Sequence, residues 1–331
     1  SLYFTKANFD DYYYGKGSTY PDAQGCVGIL FEQASSRGHS QQTDNGLLTF
    51  PFAIRNHVTT SLSTYKAVVE LRTKLLNYQR SFYKNSKEDA DKDPVKGYLL
   101  QSPGDVAKMN KFIDILLANN IKAYQLNENR SGYLKEESIV VPCSQPQYHL
   151  IKGMMEKRTK FEDSLFYDIS AWTYPLAFNL QYQELSDADN INKMLGKEIT
   201  GEISPSLNVF SKSEYAYLLD GKGYYLHKGL HIILSKGLRA RLIHNDLELP
   251  APVQLQKFGR GSILIPVQNQ NMGSDDLFNL LKTISDDCRI NIFNLNTGFA
   301  HSGVDLGTPG SSALILPKAC LLVGQGMDMN D

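Results

Sequence analysis

The chain has 331 residues, with 34 Lys and Arg against 35 Asp and Glu and a formal net charge of −1. That length supports a sizeable core in about two domains, and so even a balance lacks the electrostatic footprint of a nucleic-acid or anionic-membrane binder. No apolar run reaches membrane-spanning length and no signal peptide opens the sequence, so neither a nucleic-acid nor a membrane partner is expected. Cys26, Cys143, Cys288 and Cys320 are widely spaced and form no CxxC pair, which argues against a structural zinc site or a dense disulfide framework. The first residue is Ser and not Met, which reads as a processed or excised piece.

Residues 3–23 are aromatic and turn-rich, an irregular loop by composition. The apolar run Val27–Phe31 then reads as a buried strand that delivers Glu32 to its C-terminal end, ahead of a polar, Gly-broken loop from Ser35 to Asn45. A buried unpaired carboxylate is costly, and α/β enzymes place catalytic side chains where strand ends face a loop-lined crevice. Glu32 is therefore the first catalytic candidate. Ile54, Val58, Leu62, Tyr65, Val69, Leu76 and Phe82 recur at mostly helical spacing and predict one helix over 51–83, started by Thr49 or Thr43. The charged run Lys84–Asp93 reads as a linker, with a domain boundary near Pro94.

From Gly97 the pattern becomes strand and helix in alternation. Strands are predicted over Tyr98–Gln101, Ile121–Leu126 and Ser138–Val141, with helices over Asp105–Asn119 and about 147–157. The same order returns with strands over Tyr215–Leu219, Leu238–Ile243 and Ser262–Val267 and helices over Tyr225–Ser235 and Asp275–Ser285. Tyr98-Leu-Leu-Gln matches Tyr217-Leu-Leu-Asp, Ile121-Lys-Ala matches Leu238-Arg-Ala, and Ile139-Val-Val-Pro matches Ile263-Leu-Ile-Pro. The expectation is a layered α/β fold with a mixed or parallel sheet and two pseudo-repeated units. Ala313–Gly324 reads as a buried strand, either opening a truncated third domain or forming an edge strand of the second. The expected domains are 1–90, 95–300 and 301–331.

The stretch from Gly17-Ser-Thr-Tyr20-Pro-Asp to Gly25-Cys-Val-Gly-Ile-Leu-Phe-Glu32 resembles the closing segment of zinc metallocarboxypeptidases of the pancreatic type. In that family a mobile Tyr-bearing loop precedes a strand presenting the catalytic glutamate, and a long helix closes the domain. The resemblance covers roughly the first quarter of the chain. The form Phe31-Glu-Gln-Ala-Ser-Ser-Arg-Gly-His39 looks like a bacterial branch with further C-terminal α/β domains, the last of them similar to class I glutamine amidotransferases. The resemblance implies that Glu32 is the general base and acid, exchanging a proton between zinc-bound water and the leaving amine. It implies that one of Tyr12, Tyr13 or Tyr14 covers the substrate, with Tyr12 or Tyr14 favoured. It further implies zinc in the full-length protein, a peptide substrate with a free C-terminus, and a secreted or periplasmic location.

The family's zinc site requires His-x-x-Glu and a later His, all before the catalytic strand. Here the seven His residues are followed at the third place by Gln42, Thr60, Lys152, Leu230, Leu234, Leu247 and Val304, and only 31 residues precede Glu32. Arg37 cannot be matched to the family's substrate clamp. This chain is then the catalytically incomplete tail of such an enzyme, with no metal ligand of its own, and its first partner is the missing N-terminal catalytic portion. The alternative is a non-catalytic α/β module that binds a ligand or a partner.

Other features are weighed against plain structural readings. His227 and His231 share one helical face, but the zincin motif needs Glu where Lys228 stands. Cys143 with His149 suggests a thiol nucleophile, but Val267 occupies the matching place in the second unit. Gly221-Lys-Gly223 lacks phosphate-loop spacing, and Asp168 and Trp172 read as core with satisfied polar tips.

Overall fold

The computed structural model describes residues 14–157, 173–204, 207–250 and 255–321. They fall into two compact units, one within Ser1–Gln101 and Ile113–Gly201, the other within Ser102–Phe112 and Glu202–Asp331.

The first unit begins with a short helix α1 (Tyr20–Ala23) and an antiparallel hairpin, β1 (Ser40–Thr43) and β2 (Gly46–Thr49). Helix α2 (Phe50–Glu70) follows at once, because the Thr49 hydroxyl accepts the Phe52 N–H as N-cap and Pro51 needs no donor in the first turn. The predicted helix over 51–83 is two helices. Leu71 leaves helical geometry at φ −98° and ψ 8°, and α3 (Arg72–Lys92) continues from it. The charged run Lys84–Asp93 is consequently the last turns of a helix and its cap, not a linker.

Then come β3 (Gly97–Gln101), α4 (Val106–Ala118, of which the residues up to Phe112 are counted with the second unit), β4 (Tyr124–Leu126), β5 (Ser138–Pro142), α5 (Tyr148–Met155), α6 (Tyr174–Ala177), β6 (Gln181–Leu185), α7 (Ile191–Met194) and β7 (Leu195–Glu198). The five strands form one sheet in the order β6-β3-β5-β4-β7, every pair antiparallel. Helix α3 docks on α5 through its smallest residues: only Ser86 and Ala90 are buried along it. Three polar links close that seam. The Tyr148 hydroxyl donates to Asp93 at 2.6 Å, Lys152 Nζ lies 2.8 Å from the same carboxylate, and His149 Nε2 lies 3.5 Å from Asp89.

The second unit contains β8 (Ala216–Leu219), α8 (Leu226–Ser235), β9 (Arg241–Ile243), the hairpin β10 (Leu247–Pro250) and β11 (Leu255–Phe258), β12 (Ile263–Pro266), α9 (Ser274–Cys288), β13 (Ile292–Leu295) and β14 (Ser311–Ala313). Its sheet runs β13-β8-β12-β9-β14, again antiparallel throughout. Side chains alternate across it. Tyr217, Leu219, Ile263 and Ile265 pack with Leu226, Ile233, Leu277 and Leu281 of the helices; Ala216, Leu218 and Leu264 pack with Leu249, Phe258 and Leu306 on the opposite face.

Both sheets carry the split βαβ arrangement of the ferredoxin-like fold with a fifth strand added. The protein is thus α/β in content, but the expected mixed or parallel sheet is corrected to two antiparallel ones. The helix crossover does return the chain parallel, β3 to β4 and β8 to β9, yet the next strand turns back by a hairpin connection and inserts between them. The apolar runs Tyr98–Leu100 and Ile139–Val141 resemble parallel strands because both sheet faces are covered. In the second unit the hairpin β10–β11 covers the face that lacks helices. Of Ala313–Gly324, only Ala313 is in a strand, at the edge of the second sheet beside β9; 314–321 are described and not in a strand, and the rest lies outside the described residues.

Candidate functional site

The residues that lead to Glu32 are firmly held. Tyr20 Oη donates to Asn119 at 2.6 Å and Tyr83 Oη to the Gln24 carbonyl at 3.0 Å. Gly25 has φ 69° and lies against the Phe82 ring, where a Cβ would come within 2.8 Å of Cδ1. Gly28 donates its N–H to Asp22 at 2.8 Å and sits so close to the Ser18 carbonyl that no side chain fits.

Beyond that anchor the chain is open. Val27–Phe31 is not the buried strand expected: it pairs with no described strand, and Ile29 and Leu30 are 59% and 66% exposed. An apolar run becomes a buried strand only where a neighbouring strand takes its backbone groups and a layer covers its side chains. No described strand pairs with this run; the Asp22 carboxylate takes only the Gly28 N–H. Glu32 ends this run exposed to solvent, and among the described residues none hydrogen-bonds or ion-pairs with its carboxylate.

The next residues line a groove with the start of α2. Asn56 donates to Gln33 Oε1 at 2.7 Å and pins the loop, while Ala34, Phe50, Ile54, His57 and Val58 form the walls. Ser36 is buried with its hydroxyl on the Gly38 carbonyl at 2.7 Å, which sets a turn that holds Arg37 at φ 45°. A non-glycine residue in that region stores strain of about 1–3 kcal/mol. This groove beside Glu32 was not foreseen; its signal was Asn56 and His57 set within the Ile54–Val58 apolar spacing.

The remaining candidates scatter. Tyr12 lies outside the described residues, as do Tyr13, Asp168 and Trp172. Tyr14 is buried, its ring 5.2 Å from that of Tyr174 and 3.6 Å from the position a Gly153 Cβ would occupy. Burial pushes the Cys143 thiol up to about 12, with the nearby Asp93 charge adding to the effect, so the thiolate a nucleophile requires is suppressed. His149 is lowered by burial, with Asp89 opposing, and its ring rests on Phe82 at 4.6 Å. His227 and His231 are both exposed on α8.

Among the described residues no group of three or more His, Cys, Asp or Glu is placed to hold a metal ion, and none is near Glu32. The described residues around Glu32 thus offer no three-ligand set for a zinc ion. No helix among the described residues is long and apolar enough to cross a membrane. Comparison with protein-family profiles, with curated proteins and with solved structures finds no match for this chain.

Proposed function

We propose that this chain is the C-terminal part of a zinc carboxypeptidase-like hydrolase acting on C-terminal residues of peptides, and that it is catalytically incomplete alone. The observation that carries the reading is the exposed, unpaired Val27–Phe31 run ending at an exposed Glu32. Such a run wants a partner strand on its backbone and a layer on its side chains, and the missing N-terminal catalytic portion would supply both. Helix α2 supports this. It is 21 residues long and buries none of them, while Phe50, Ile54, Val58, Leu62, Tyr65 and Val69 form an exposed apolar stripe. In the full protein Glu32 is the proton carrier of the hydrolysis, and Tyr12 or Tyr14 is the loop tyrosine of the resemblance. The zinc ligands lie outside this chain.

We further propose that the two α/β units are diverged copies of one ancestor. Their pairing registers support it: Tyr98 faces Val141 as Tyr217 faces Ile265, and Gly97 faces Pro142 as Ala216 faces Pro266. The helix ends agree as well. Asn120 at φ 56° ends α4 with the Ile121 N–H on the Leu116 carbonyl, and Gly237 at φ 72° ends α8 with the Leu238 N–H on the Ile233 carbonyl. The runner-up function is a ligand- or partner-binding module without catalysis, built on these same paired units.

The test uses a longer chain that carries an upstream His-x-x-Glu motif. There Glu32→Gln should lower peptide hydrolysis by roughly 10²- to 10⁴-fold, the usual worth of a general base or acid. The present chain, supplied with zinc, should cleave no peptide. Full activity of the Glu32→Gln protein would sink the reading.

A further inference from the structure

Helix α8 is fixed in its rotation by the residues it buries. Leu226, Gly229 and Ile233 face the core, and Gly229 approaches so closely that a Cβ would lie 2.9 Å from Ile290 Cδ1 and 3.1 Å from Ile284 Cγ2. The opposite side of the helix therefore carries His227 and His231, one turn apart and both exposed. Residues at this spacing have Cβ atoms about 5–6 Å apart. Two imidazoles at i and i+4 can both reach one ion at Zn–N-type distances of about 2.0–2.1 Å, as in helical metal motifs with His at this spacing.

We propose that His227 and His231 chelate one divalent transition-metal ion, with Cu²⁺ bound more tightly than Ni²⁺ or Zn²⁺, as the general order for nitrogen ligands requires. Two neighbouring groups bear on the pair. His231 Nε2 is 3.4 Å from Ser235 Oγ, a long contact at an exposed position that costs little to give up. Lys228 folds its ammonium over the Tyr225 ring at 5.6 Å from the centroid, which gives the charge a favourable seat of its own. No third His, Cys, Asp or Glu among the described residues joins the pair. Water completes the coordination, so the site binds an exchangeable ion and does not hold the fold together. Helix α4 has no counterpart: at the corresponding positions before its left-handed end it carries Asn110 and Asp114. The proposal does not depend on the hydrolase reading.

The experiment is calorimetric titration of the untagged 331-residue chain, stripped with chelator, with CuCl₂ and separately with NiCl₂. One equivalent should saturate the tightest phase. Removing even a partner of a metal ligand costs roughly 10- to 100-fold in affinity, so His227→Gln or His231→Gln should each weaken that phase by about tenfold or more. Both side chains are exposed, and an unchanged melting temperature will show that the variants fold. Absence of a saturable phase, or a phase of the same strength in the double variant, overturns the proposal by assigning binding to the other five histidines or to none.

Discussion

Gln145 and Gln270 make the same three hydrogen bonds in the two units. Gln145 accepts the Lys122 N–H at 2.8 Å and donates to the Lys122 and Pro142 carbonyls at 3.1 and 2.6 Å. Gln270 accepts the Arg239 N–H at 2.7 Å and donates to the Arg239 and Pro266 carbonyls at 3.0 and 2.5 Å. Each glutamine thereby ties the start of the second strand of its five-stranded sheet, in chain order, to the end of the third, where the sheet ladder has run out. One side chain satisfies three main-chain groups that the sheet leaves over.

Truncating this clasp should cost more in the first unit than in the second. Gln145 is 7% exposed, so Gln145→Ala strands main-chain groups away from water, at about 1–3 kcal/mol. Gln270 is only partly buried, and water can replace much of what Gln270→Ala removes. Urea unfolding of the two variants, read separately for each unit, measures the difference. Equal losses would contradict the burial argument.

Reactivity of the cysteines should follow burial and charge. With its thiol pushed up to about 12, Cys143 should resist iodoacetamide at neutral pH while the exposed Cys26 and Cys320 react. Peptide mapping after timed alkylation gives the order. Early labelling of Cys143 in the folded chain would revive the thiol-nucleophile reading.

Asp93 should make the α3–α5 seam acid-sensitive. Burial works to raise its carboxyl, but the bonds from Lys152, Tyr148 and the Val95 N–H outweigh it and hold the group below its ordinary range. A folded pKa below the unfolded value near ~3.9 gives stability that is fully present above that value and lost as the pH falls through the depressed one. The side chain is only 8% exposed. Asp93→Ala should therefore cost about 1.5–3 kcal/mol at pH 7, the worth of hydrogen bonds to a charged group. That gap should narrow progressively below about pH 4, which chemical unfolding at pH 7 and pH 3 will show. The docked seam should also protect Lys84 and Lys87 from trypsin at neutral pH.

The parts of this fold that are legible in the sequence are those set by local pattern. The runs Tyr98–Leu100 and Ile263–Ile265, the α8 and α9 periodicities, and the Thr49 cap each declare their element within a few residues. Strand direction is not local: Ile139–Val141 reads the same whether it joins a parallel or an antiparallel sheet, and the choice follows from where the hairpin connection inserts it. The α3–α5 seam was equally hidden, because Lys84–Asp93 has a linker's composition and declares itself only when Ser86 and Ala90 meet α5. At the candidate site the sequence marks Glu32 and its apolar run. It does not reveal that the covering layer is lacking, since apolar residues are the same whether covered or bare.

The apolar stripe of α2 allows the sharpest test of that last point. In this chain the helix buries nothing, and Val58 and Leu62 are 52% and 63% exposed. Val58→Lys with Leu62→Lys should therefore leave the stability of the isolated chain within about 0.5 kcal/mol, as for surface changes generally. By contrast, Leu99→Ala or Ile151→Ala, at fully buried positions, should each cost about 2–5 kcal/mol. In a longer chain that contains the catalytic portion, the same double Lys change should become strongly destabilising, because two ammonium groups would then be forced under an apolar layer. Thermal melts of the short and the long chain separate the cases. A large loss in the short chain would mean that α2 already has a cover, and Val27–Phe31 would lose its claim to an unmet partner with it.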